Sequence, residues 1–122
     1  MNRLFAFGCS FTHYKWPTWA DILGCNFDEY QNWGKPGGGN HFIFYRLIEC
    51  IERNAVCKKD TVAIMWTSVG REDRFLKGKW HTQGSVYSTF DQNYIENYTD
   101  PTGYYLTNVT LIDAAKKILD SI

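Results

Sequence analysis

The first apolar stretch of the chain is short and ends at a glycine. Residues Leu4 to Phe7 are all apolar, which is expected of a strand that is buried on both faces. The chain then continues as Gly-Cys-Ser-Phe-Thr over residues 8–12, and this segment predicts a sharp turn. Because functional groups collect where parallel strands end, the turn presents Ser10 at a position suited to chemistry.

The next patterns predict a helix, a strand and a glycine-rich loop. Pro17–Gly24 predicts a short helix, since proline suits a first turn and glycine suits a helix end. Residues 27–33 predict a short second strand that runs into Gly34, and a glycine-rich turn follows at residues 35–39. Asn40 is the predicted N-cap of the helix after this turn.

Helical and strand patterns alternate again after the glycines. Apolar residues recur at helical spacing from His41 to Asn54. The nearly continuous apolar run over residues 60–66 then predicts a central parallel strand. From Leu111 to Ile122 apolar residues lie on one face of a last predicted helix, and no strand follows it.

Residues 71–104 interrupt this alternation with an aromatic-rich insertion. Lys77 and Gly78 predict a hairpin turn within it. A long insertion at the carboxyl side of a central strand is often a functional loop, and the alternative is an ordinary hairpin packed on the sheet. Both interpretations stay open on the sequence.

The pattern as a whole predicts one α/β domain over residues 1–122. Alternating strands and helices indicate a parallel sheet in a three-layer α/β/α sandwich, shortened at its C-terminus. Such a domain has an open sheet edge and an apolar helix face. We therefore expect a homo-oligomer, or a partner chain that covers both.

The amino-acid composition argues against several classes of function. The 13 Lys and Arg residues balance the 13 Asp and Glu residues, so no net charge favours nucleic acid or an anionic membrane. No apolar run approaches the roughly 20 residues of a membrane span, and no secretory signal is recognisable. The four cysteines form no C-x-x-C pair. We expect a cytoplasmic protein with reduced thiols and without a metal or cofactor.

Ser10 and the glycine-rich loop together suggest acyl transfer. A serine hydroxyl is a nucleophile when a neighbouring base takes its proton. Backbone N–H groups of a glycine loop approach a developing negative charge closely, and the following helix N-terminus adds a favourable dipole. The same loop is alternatively suited to binding phosphate or sulfate.

Two segments resemble the SGNH (GDSL-like) hydrolase family. Residues 8–12 resemble its first block, with Cys9 in place of the usual aspartate, and Asn32–Gly37 resembles its second block. Asn40 also matches related sequences. The resemblance spans roughly residues 2–74. It implies a flavodoxin-like sheet, Ser10 as nucleophile, and the N–H groups of Ser10 and Gly37 as oxyanion donors.

The third block departs from the family pattern. Instead of Gly-x-Asn-Asp, the strand is followed by Trp66-Thr67-Ser68, similar to divergent and often phage-encoded members. Thr67 or Ser68 is then the substitute for the asparagine donor. Arg71 is a candidate for binding an anionic group of the substrate, and Asn40 and Trp66 are the other candidate substrate contacts.

The family's Asp-x-x-His block, which supplies the general base, is absent, because no aspartate has a histidine three residues later. His41 and His81 are the first candidates to replace it, ahead of His13, whose short tether to Ser10 makes alignment difficult. Two hypotheses follow. The chain is a serine hydrolase of small esters or O-acylated sugars with incomplete machinery, or it is a catalytically silent binding or assembly subunit, for instance of a virion.

Overall fold

The computed structural model describes all 122 residues as five strands and five helices. In chain order they are β1 (Arg3–Phe7), α1 (Trp19–Gly24), β2 (Glu29–Asn32), α2 (Asn40–Asn54), β3 (Thr61–Ile64), β4 (Arg71–Leu76), β5 (Lys79–Ser85), α3 (Val86–Thr89), α4 (Gln92–Tyr98) and α5 (Pro101–Asp120). Strands β1, β2 and β3 form a parallel sheet in the order β2-β1-β3, and β4 pairs with β5 in a separate antiparallel hairpin.

The fold is therefore mixed α/β with a small parallel sheet, as the alternating pattern predicts. The finer prediction of a three-layer flavodoxin-like sandwich stays a prediction. None of the helices combines the length and apolar character that crossing a bilayer requires.

Strand β1 is the centre of the sheet and of the core. Its residues Leu4 to Phe7 are all buried, because β2 and β3 pair with its two edges and helices cover its side chains. Helix α2 packs against this strand with α5 beside it. The buried cluster that results is Phe5, Phe7, Phe42, Ile43, Leu47, Cys50 and Ala115.

An ion pair joins the amino ends of β1 and β3. Nε and Nη2 of Arg3 donate to the two carboxylate oxygens of Asp60 at 2.8 and 2.7 Å, and Nη2 also donates to the carbonyl oxygen of Asn54. The hydrogen bonds from Arg3 lower the pKa of Asp60 to about 2. The pair thus fixes the start of two strands to the end of α2.

The β4–β5 hairpin turns at Lys77 and Gly78, as the sequence predicts. Both residues have positive φ angles, 54° and 78°, which is the conformation of a tight two-residue hairpin turn. The hairpin packs over the glycine-rich loop and not on the three-stranded sheet. The N–H of Gly84 donates to the carbonyl oxygen of Gly37 at 3.1 Å, and the Thr82 hydroxyl donates to that of Pro36 at 2.9 Å.

Helix α2 is capped by a residue of this hairpin. The predicted N-cap Asn40 is instead the first helical residue, and Gly39 is the N-cap. Because glycine has no side chain to accept the first N–H groups, the carboxylate of Asp73 accepts them. Its two oxygens accept from the N–H of Gly39 and of Phe42, both at 2.9 Å. The hairpin is thereby fixed to the start of α2.

The last helix, α5, is longer than the sequence predicts. Helix α5 begins at Pro101, well before the apolar stretch that starts at Leu111, and the Asp100 carboxylate caps it by accepting from two backbone N–H groups. Strand β3 pairs only with β1, so its other edge is open. The expectation of an open sheet edge matches this topology.

Replacing the Asp73 carboxylate should cost more stability than replacing the Asp100 carboxylate. We expect Asp73→Ala to lower the free energy of unfolding by about 2 kcal/mol, and Asp100→Ala by about 1 kcal/mol. Each side chain accepts from two backbone N–H groups, but those that Asp73 binds lie beneath the hairpin, where water replaces the carboxylate poorly. Urea denaturation of both variants measures the difference, and equal losses would show that the hairpin does not shield the Asp73 cap from water.

Candidate functional site

Three loops meet at the carboxyl ends of the parallel strands. The carbonyl oxygen of Gly8, after β1, accepts from the N–H of Lys35, after β2, at 3.1 Å. The Asn40 side chain joins the loop after β3 through a pair of bonds, from Nδ2 to the Thr67 carbonyl (3.1 Å) and from the Thr67 N–H to Oδ1 (2.9 Å). The segments that the sequence predicts to converge are therefore in contact.

Ser10 lies in a single helix-like turn. The carbonyl oxygen of Cys9 accepts from the N–H of Thr12 at 3.0 Å and of His13 at 2.9 Å. The turn requires Gly8, because a Cβ there would overlap the buried side chain of Thr12. The Ser10 hydroxyl is partly exposed and makes no hydrogen bond within the chain.

The Ser10 hydroxyl opens onto an aromatic crevice of about 300 Å³, which Phe11, Tyr14, Trp16 and Thr18 also line. Phe11 and Trp16 are 69% and 60% exposed, and the rings of Tyr14 and Trp16 lie 4.4 Å apart. No charged side chain and no histidine lines the crevice. It therefore suits a neutral, apolar or ring-bearing group beside the hydroxyl.

The glycine-rich loop keeps one donor free. The N–H of Gly38 donates to the Lys35 carbonyl, and that of Gly39 to Asp73, whereas the N–H of Gly37 has no acceptor within the chain. Gly37 thus retains the donor that the oxyanion role needs. The alternative role in phosphate or sulfate binding loses two donors, because Asp73 already occupies the N–H groups of Gly39 and Phe42.

The candidate site residues in the segment after β3 lie in different environments. Thr67 is half-buried, whereas Ser68 is exposed. Trp66 packs against the hydrophobic core and does not line the Ser10 crevice. Asn40 is buried, and its second amide N–H donates to Oδ1 of Asn108 in α5, so its amide serves to join α2, α5 and the loop after β3.

The candidate bases do not line the Ser10 crevice. His41 lines a different cavity of about 420 Å³ together with Arg71, and His81 lines a third of about 360 Å³. His13 belongs to the Ser10 turn, and its Nδ1 lies 2.8 Å from the Gly34 carbonyl oxygen. His41 and His81 therefore lie close to the glycine-rich loop, through α2 and β5, but neither of them lines the Ser10 crevice.

The sequence did not indicate a role for Glu72, whose side chain lines both the His41 cavity and the His81 cavity. Glu72 accepts hydrogen bonds from the hydroxyl groups of Tyr94 (2.5 Å) and Tyr104 (2.6 Å) and pairs with Arg74. Burial raises the pKa of Glu72, but these three partners outweigh burial and hold it below its usual value. The only sequence signal was the charged run Arg-Glu-Asp at residues 71–73, which follows the uncharged residues 61–70.

No family model, no curated protein and no solved structure matches this chain.

Substituting Gly37 should separate the hairpin from the glycine-rich loop. Gly37 and Gly78 both have a φ of +78°, so alanine is strained at either position, but a Cβ at Gly37 would also overlap the Thr82 carbonyl, whereas Gly78 has open space. We expect Gly78→Ala to cost about 1 kcal/mol from backbone strain, and Gly37→Ala about 1–3 kcal/mol more from the overlap. Chemical denaturation measures both, and equal costs would show that the hairpin yields freely.

Proposed function

We propose that this chain is an SGNH-like serine hydrolase domain that acts on small esters or O-acylated sugars, with incomplete catalytic machinery. The observation that carries the proposal is the free hydroxyl of Ser10, which lines an aromatic crevice in a turn whose first residue, Gly8, contacts the glycine-rich loop through Lys35. The parallel sheet with β1 at its centre supports it, as does the order β2-β1-β3, which places Ser10 after the central strand.

The proposed roles follow from ester hydrolysis. The Ser10 oxygen attacks the acyl carbon, and the N–H groups of Ser10 and Gly37 donate to the oxyanion, with Thr67 or Ser68 as a further donor. The ester C–O bond then breaks, and the alcohol leaves with a proton. Water subsequently releases the acyl group from Ser10.

The proton acceptor is the missing part of this mechanism. Without a base, the hydroxyl stays protonated at neutral pH, and nucleophilic catalysis loses orders of magnitude. His41 and His81 line other cavities, so either of them, or a residue of a second polypeptide, has to reach the Ser10 crevice. We therefore expect slow turnover of the isolated chain.

Covalent labelling tests the role of Ser10. We expect a fluorophosphonate probe to label the folded protein slowly, and labelling to vanish in Ser10→Ala, because the Ser10 hydroxyl is accessible and the proposed oxyanion donors assist its attack on the probe. Ser88→Ala is the matched control, since Ser88 is also exposed but lies in α3, outside the proposed site, and its loss should leave labelling unchanged. Intact-protein mass spectrometry reads the result. An unlabelled wild type, or persistent labelling of Ser10→Ala, would refute the proposal.

The open edge of β3 favours a second candidate function, that of a catalytically silent assembly subunit. Residues 61–70 contain no charged side chain, and Met65 is 42% exposed. Unpaired strand edges usually carry charges that prevent pairing with another chain. A second copy or a partner strand at β3 would complete the hydrogen bonds of this edge.

A lysine at the β3 edge tests the assembly function. We expect the wild type to sediment as a dimer or larger species, and Met65→Lys to shift it towards the monomer, because a charge opposes burial of the edge. Ser88→Lys adds the same charge on an exposed helix elsewhere and should leave the assembly intact. Analytical ultracentrifugation distinguishes the species, and a monomeric wild type would exclude self-assembly.

A further inference from the structure

A groove between the tip of the β4–β5 hairpin and α2 has no part in the proposed hydrolase site. Its volume is about 470 Å³, against about 300 Å³ for the Ser10 crevice, and the two cavities share no lining residue. The glycine-rich loop, α2 and the hairpin form most of its wall. We call it the basic groove, and the side chains that matter below are Lys35, Arg46, Lys79, Phe42, Phe75 and Trp80.

Cations line the basic groove, and carboxylates do not. Lys35, Arg46 and Lys79 belong to its wall, whereas no Asp or Glu does. The cavities of His41 and His81, by contrast, both contain Glu72. Because basic and acidic residues balance over the whole chain, the net charge gives no sign of this local excess. The groove therefore favours an anionic ligand.

The positive charge of the basic groove is not neutralised within the chain. Lys35 and Lys79 take part in none of the five salt bridges. Arg46 pairs with Glu49 at 2.6 Å, but Glu49 also pairs with Arg53 at 2.7 Å, so one carboxylate serves two guanidinium groups. The groove thus keeps positive charge for an anion from outside.

The basic groove also contains a fixed aromatic surface. Phe75 and Trp80 pair across the hairpin, and their ring centroids are 5.4 Å apart. The Trp80 ring is held in place by Phe42, edge-on at 5.5 Å, and by Tyr45, stacked at 5.7 Å. The Phe75 ring is 59% exposed. An exposed ring beside fixed rings suits the stacking of a flat group.

The side chains of the basic groove are poor partners for a neutral sugar. Among them only the imidazole of His13 can accept a hydrogen bond, because lysine and arginine only donate. The hydroxyl groups of a sugar need acceptors, whereas a phosphate needs donors alone. The groove therefore suits a ligand that combines a phosphate with a flat ring.

We propose that the basic groove binds one nucleotide. The base stacks on Phe75 and Trp80. The phosphate accepts hydrogen bonds from Lys35, Lys79 and Arg46, whose guanidinium already lies flat, 4.2 Å from the centre of the Trp33 ring. The volume of about 470 Å³ is within the range of small-molecule sites. This inference does not depend on the hydrolase proposal, because binding at the groove needs neither Ser10 nor a reaction.

Titration calorimetry with AMP tests the class of ligand. We expect AMP to bind, and adenosine and glucose 6-phosphate to bind at least about tenfold more weakly, because adenosine lacks the charge and glucose 6-phosphate lacks the flat ring. CMP should bind within about tenfold of AMP, since stacking does not select the base. No binding of AMP, or equal binding of glucose 6-phosphate, would overturn the proposal.

Substitutions on opposite faces of β4 test the stacking contact. We expect Phe75→Ala to weaken AMP binding about tenfold, and Leu76→Ala to leave it unchanged. Leu76 is the matched control, because it is 51% exposed on the same strand but lines the His81 cavity instead. Equal effects of the two substitutions on AMP binding would refute the stacking contact.

Neighbouring lysines of the hairpin turn test the charge contact. Lys79→Gln should weaken AMP binding about threefold, and Lys35→Gln in addition should bring the loss to about tenfold. Lys77→Gln removes the same charge two residues away, outside the groove, and should change AMP binding little. Lys79 is exposed, so this comparison holds even where Phe75→Ala does not fold. Equal losses for Lys79→Gln and Lys77→Gln would show that the groove does not hold the phosphate.

A short oligoadenylate distinguishes a free nucleotide from a nucleic acid strand. We expect it to bind about as tightly as AMP, because the three cations of the groove match a single nucleotide and the chain has no net positive charge to hold further phosphates. Binding of the oligonucleotide that is orders of magnitude tighter and falls steeply with salt would overturn the assignment to a single nucleotide.

Discussion

The carboxylate of Asp73 is the interaction on which the arrangement of the site depends. Helix α2 begins at a glycine and so has no side chain of its own to accept its first N–H groups, and Asp73 supplies the acceptor from the hairpin. The requirement that these N–H groups be satisfied holds the hairpin over the glycine-rich loop. That loop in turn contacts the Ser10 turn, so the geometry around Ser10 rests on a cap formed more than thirty residues away in the chain.

The same cap explains why the nucleophile candidate and the histidines are separated. His81 lies on the hairpin and lines one cavity, and the start of α2 places His41 in another cavity beside Arg71 and Asp73. Ser10 faces an aromatic crevice that contains neither ring. Ser10 and the imidazole groups of His41 and His81 thus line three different cavities.

Local sequence patterns predicted most of the helices and strands. They did not predict the contacts between residues that are distant in the sequence. The helix from residue 41 and the turn at Lys77 follow from periodicity and turn chemistry, and the structure confirms both. The early start of α5 had a readable signal in Asp100 followed by proline. By contrast, nothing near Gly39 in the sequence indicates that Asp73 caps it, because this contact exists only after the hairpin has docked.

Arg71, Glu72 and Asp73 are consecutive residues that reach different parts of the fold. Alternation along β4 directs Arg71 and Asp73 towards the glycine-rich loop and α2, whereas Glu72 holds the tyrosines of α4 and α5. Any shift of this short backbone therefore alters all of these contacts at once. The free-energy costs of substitutions at the three positions will therefore not be additive. A substitution of one of these residues alone is expected to be tolerated less well than a coordinated replacement of all three.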